Sequence, residues 1–61
     1  MKPFCQLLGE DGNIFNLMGI ARRALRDANQ IDKIPEMTER VLQSKSYGEA
    51  LLVIMEYVEV E

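Results

Sequence analysis

The chain has no histidine and a single cysteine, Cys5. One cysteine excludes an internal disulfide. A zinc centre needs more thiolates and imidazoles than this chain owns, so neither a metal nor any other cofactor is expected. Without histidine, no cysteine–histidine nucleophile can be assembled within one chain. No serine has a visible base either, and a non-catalytic role is the expectation. No apolar run approaches the ~20 residues that cross a bilayer. Residues Met1–Leu8 are too short and too weakly basic for a secretory signal. A lone thiol without an export signal points to a reducing cytosol. Nothing after Lys45 is basic, and the formal net charge of −3 argues against general nucleic-acid binding.

What is present makes one small domain, residues 1–61. Its 48% apolar content suits a packed globule rather than a disordered chain. A chain of this length buries only about 60% of its unfolded surface. Small domains commonly add a disulfide, a metal or a partner chain. The first two are excluded, which leaves oligomerisation.

The most informative stretch is Gly9-Glu10-Asp11-Gly12-Asn13, followed at once by an amphipathic run. Two glycines bracket two acids, and an asparagine stands where a helix begins. That composition predicts a sharp turn into a helix over about 13–28, capped by Asn13 or Asp11. Ile14, Leu17, Met18, Ala21, Ala24, Leu25 and Ala28 follow the i, i+3/i+4 rule and line one apolar stripe. Upstream, Phe4 to Leu8 alternate in polarity behind Pro3, which predicts a short strand. After the first helix, Asn29 to Lys33 is a connection whose Ile31 is expected to tuck into the core. Pro35 is tolerated in a first turn, so a second helix is placed over about 35–43. Glu36 and Arg40 stand at i, i+4 as an ion pair. Ser46-Tyr47-Gly48-Glu49 has the form of a capping box opening a third helix, 46–57. Tyr57 to Glu61 then alternate like a strand that can pair with Phe4 to Leu8, with a helix frayed at its end as the alternative. The resulting class is α+β and mostly helical, with three helices and short N- and C-terminal strands.

The third helix is apolar nearly all round. Only Glu49 and Glu56 mark a polar side, and a helix of this kind must be covered on most of its circumference. Two short helices and a small ribbon do not enclose it easily, whereas a symmetric copy can. A homo-oligomer, with a dimer favoured, is therefore expected to meet through Leu52, Val53, Met55 and Tyr57.

Phe15, Gly19, Arg22 and Arg26 fall on one flank of the first helix. An aromatic, a gap and two guanidiniums can seat an acidic protein partner, or a base and a phosphate. A solvated flank with Phe15 packed under the turn is the simpler alternative. The arginines can also meet the acidic C-terminal end, within or between subunits. Gly12 and Asn13 lie at a helix N-terminus, where amides attract anions. No G-x-G-x-x-G or Gly-Lys-Ser/Thr pattern accompanies them. A nucleotide held between subunits by Gly12, Asn13, Arg22 and Arg26 is thus the competing function. Glu10 and Asp11 are adjacent carboxylates, but a calcium loop spreads its ligands over about a dozen residues. Helix capping suits them better than a metal-dependent hydrolase. Cys5, in a half-buried strand, reads as a small apolar residue, and Tyr47 as an anchor for its helix or a surface contact.

Taken in order, Leu8-Gly9-Glu10-Asp11-Gly12-Asn13-Ile14-Phe15, Gly19, Ala24-Leu25, Ser46-Tyr47-Gly48-Glu49-Ala50-Leu51 and Tyr57-Val58-Glu59-Val60 span nearly the whole chain. This pattern resembles a group of very short bacterial and phage proteins with a GEDGN-x-F start and a YVEV end. The resemblance carries no activity. It implies that the turn and both ends belong to one fold. A phage or mobile-element origin would place the chain in the host cytoplasm as a small host-directed or anti-defence binder. The favoured function is a non-catalytic interaction module, a cytosolic homo-oligomer that binds a protein partner through Phe15, Arg22 and Arg26.

Overall fold

A computed structural model of the chain describes every residue except Leu8. Among the described residues the order is β1 (Phe4–Cys5), α1 (Ile14–Asp27), a 3₁₀ turn (Ile31–Lys33), α2 (Ile34–Leu42), α3 (Tyr47–Tyr57) and β2 (Glu59–Val60). The fold is α+β and mostly helical. β1 and β2 pair in parallel, with Phe4 opposite Glu59 and Cys5 opposite Val60. The pairing extends past both strands. Glu59 donates to the Pro3 carbonyl at 2.8 Å, Glu61 to Cys5 at 3.0 Å, and Leu7 to the Glu61 carbonyl at 2.9 Å. Cys5 and Leu7 face the core while Phe4 and Gln6 face out, as the alternation predicts. Leu8, the last residue of the expected strand, lies outside the described residues.

The turn before α1 is held by its own polar groups. Asn13 is the N-cap, its side chain accepting from the Phe15 amide at 2.8 Å. Asp11 accepts from the Asn13 amide at 3.0 Å, and its carbonyl accepts from the Asn16 side chain at 2.9 Å. α1 ends in a residue of left-handed conformation, Asn29, at φ 62°. The Asn29 amide donates to Arg26 and the Gln30 amide to Leu25, at 3.0 and 2.8 Å. That is a Schellman ending, which satisfies two otherwise orphaned carbonyls.

The expected burial of Ile31 does not occur; it is 61% exposed. In a 3₁₀ turn, residues i and i+3 eclipse, so Ile31 lies outside Ile34, which itself packs against the core. The half-buried Gln30 takes the inner place instead, its amide donating to the Met1 carbonyl. Pro35 sits in the first turn of α2, where its missing N–H is no loss. The expected Glu36–Arg40 pair is also replaced. Arg40 turns to α3 and grips Glu56 with both terminal nitrogens, at 3.0 and 2.8 Å. A two-pronged guanidinium–carboxylate match exceeds a single contact along one helix. Tyr57 completes the junction, donating to Glu36 at 2.8 Å and accepting from Arg40 at 3.2 Å.

α3 starts on Ser46, whose hydroxyl accepts from the Glu49 amide at 3.1 Å. Tyr47, half exposed, donates to the Gly12 carbonyl at 2.6 Å and so ties this start to the turn before α1. The core combines Leu17, Met18, Ala21 and Leu25 of α1, Met37 and Val41 of α2, and Ala50, Val53, Ile54 and Tyr57 of α3. Leu25, Met37, Ile54 and Val58 lie at its centre, fully enclosed. No helix among the described residues is long and apolar enough to cross a membrane.

Candidate functional site

Three arginines come to line one groove. Gly19, Arg22, Arg23 and Arg26 recur at i, i+3, i+4 and i+7 along α1, which places them on one flank. The Schellman ending reverses the chain, and the 3₁₀ turn brings Ile31, Ile34 and Pro35 alongside as the opposite wall. Together these seven residues enclose an open groove of about 480 Å³. One wall carries cationic heads on hydrocarbon stems, and the other is hydrocarbon. Gly19 keeps the α1 side shallow: a Cβ built there meets nothing within 4 Å.

The charge of this groove is not neutralised by the chain itself. Among the described residues Arg22 and Arg23 make no ion pair. Arg26 reaches only its neighbour Asp27, at 3.6 Å and in solvent, a contact of little energetic weight. The acidic C-terminal end is engaged elsewhere, Glu56 with Arg40 and Glu59 with Lys2 at 3.9 Å. The Arg40 guanidinium holds the Glu56 carboxyl below the usual glutamate range. Among the described residues of the chain, the α1 arginines and the acidic end therefore do not meet.

The remaining expected site residues separate from the groove. Phe15 is 63% exposed on the same flank but does not line it. It is not packed under the turn. Gly12 and Asn13 lie nine or more residues before Arg22, about 13 Å of helical rise away. The Asn13 amide is already filled by Asp11 and the Gly12 carbonyl by Tyr47. Of the four α3 residues expected to meet a second copy, Val53 and Tyr57 are buried in the chain's own core. Leu52 and Met55 point outward, 64% and 44% exposed. Among the described residues Glu10 and Asp11 belong to no group of three ligands able to hold a metal. Cys5 is buried, and burial pushes its thiol pKa up, away from nucleophilic use.

Four lining residues were not singled out by the sequence for this site: Arg23, Ile31, Ile34 and Pro35. Arg23 shares the helical flank and was legible from spacing. The apolar wall was not, because it exists only once the chain reverses at Asn29. No family model, curated protein or solved structure matches the chain.

Proposed function

We propose that the chain is a non-catalytic interaction module, a small cytosolic homo-oligomer that docks an acidic protein surface in the arginine groove. The observation carrying this reading is the groove itself: three guanidiniums facing an apolar wall, two of them unpaired within the chain. Guanidinium groups keep their charge at any physiological pH and recognise carboxylates in a forked geometry. They do not exchange protons near neutrality, so the groove offers recognition rather than acid–base chemistry. A partner that sets carboxylates beside leucine-like side chains meets both walls at once. Phe15, exposed one turn before Gly19, extends the same contact. The resemblance to very short bacterial and phage proteins adds the host cytoplasm as the setting and a host or anti-defence protein as the partner.

Substituting Arg22 and Arg26 with glutamate tests the reading. Both side chains are exposed, so far-UV circular dichroism should be unchanged while partner capture is lost. Capture that persists in this variant removes the groove from the function.

A second reading is favoured by the size of the groove, which lies within the 300–1,000 Å³ typical of small-ligand sites. An anionic nucleotide is then held by Arg22 and Arg26, with Gly12 rather than Asn13 contributed by the other subunit, since Asp11 already fills the Asn13 amide. At about 100 times its dissociation constant, such a ligand stabilises by roughly 2.7 kcal/mol. A thermal-shift panel of linear and cyclic nucleotides separates the two readings.

A further inference from the structure

The outer face of α3 has the chemistry that the groove selects. Glu49, Leu52, Met55 and Glu56 lie along it, all exposed; the helix itself carries no basic residue, and the one lysine that reaches it, Lys2, donates to the Met55 carbonyl at its C-terminal end, away from Glu49. Glu49 makes no ion pair among the described residues, whereas Glu56 is held by Arg40. Leu52 stands between the two acids. The face from Glu49 to Glu56 and the groove flank from Gly19 to Arg26 each cover eight residues, about 10 Å of helical rise. We propose that the resting occupant of the arginine groove is α3 of a second copy of this chain. The inference rests on the groove being a protein-docking site, and it names the partner met when no other acidic surface competes.

The walls of the groove favour a helix over an extended segment. The α1 wall is helical backbone whose amides are bonded within the helix, and on the other wall the Ile34 amide donates to Ile31 and Pro35 has no N–H. An extended guest would desolvate its own N–H and C=O groups against Ile31, Ile34 and Pro35, at a cost for each unpaired group. A helix arrives with those groups satisfied. Gly19 lets its ridge approach closely. In that seat Leu52 and Met55 cover the apolar wall, and Glu49 faces the unpaired guanidiniums.

Because the two patches differ, a single contact leaves one groove and one α3 face free. It closes as a pair if both copies dock reciprocally and otherwise runs head to tail. Charge complementarity at exposed positions also makes it weaken with salt.

The test is molecular mass by light scattering across micromolar to millimolar concentration. The wild-type mass should rise well above the 7.0 kDa of one chain, and fall back in high salt. Arg22→Glu/Arg26→Glu and, separately, Leu52→Arg should each stay at one chain with unchanged helicity. Leu52→Ser gives a milder version should the arginine disturb α3. Mixing the groove variant with the Leu52 variant should yield a one-to-one complex and nothing larger, since each supplies its one intact patch. A wild-type chain that stays monomeric at millimolar concentration overturns the inference, as do variants that remain apart on mixing. If only the Leu52 variants dissociate, α3 pairs with itself; the inference then fails while the groove stays open to another partner. Should the groove variant also retain an external partner, the docking reading fails with it.

Discussion

Asn29 holds a backbone conformation that most side chains resist, and the groove depends on it. At φ 62°, the left-handed region costs an ordinary L-residue roughly 1–2 kcal/mol, and asparagine and glycine escape most of that. Asn29→Ala should therefore lower stability by about 1 kcal/mol in urea unfolding, while Asn29→Gly should match or exceed the wild type. Single-residue roles were legible where a side chain serves its own neighbours. Asn13 and Ser46 cap the helices they precede, as their positions indicated. Ile31 was misread because a 3₁₀ turn, rather than a continuous helical period, decides which way it points. Arg40 was misread because its partner, Glu56, lies sixteen residues away and no local spacing reports it.

Elements were more legible than their contacts. All three helices fall within a residue or two of their expected spans, since the apolar stripe and the caps agree about each one. What the spacing along α3 did not reveal was which of its apolar residues the chain covers by itself: Val53 and Tyr57 turn inward, Leu52 and Met55 outward. On α1, Gly19 occupies a helix interior where a methyl group meets nothing. Gly19→Ala should raise stability by about 0.5–1 kcal/mol, read from the unfolding midpoint. The α2–α3 junction predicts a pH response. Arg40 depresses the Glu56 pKa, so this carboxylate contributes stability that is complete above its unfolded value near 4.3. The contribution is lost as pH falls through the lower folded value. Melting temperatures measured across acid pH should fall less steeply for Glu56→Gln than for wild type, with the variant already lower at neutrality.

At the scale of the whole molecule, one small core with Leu25, Met37, Ile54 and Val58 at its centre holds the elements together, and the reserve is small. Ile54 is fully buried, and truncating it to alanine costs about 2–5 kcal/mol. Cores of domains this size rarely supply more than about 3–5 kcal/mol. Ile54→Ala should therefore lose its near-UV signal and helicity together at ambient temperature, in a single transition. The groove belongs to this scale as well. Its two walls come from opposite sides of a chain reversal, which is why spacing along one helix showed only half of it. The parallel closure of first strand on last has a mechanical consequence. Tension applied before Pro3 and beyond Glu61 pulls the two strands along their length in opposite directions. The bonds from Glu59, Glu61 and Leu7 are then loaded together in shear instead of peeling one after another, so this small protein should resist stretching from its ends better than its thermal stability suggests.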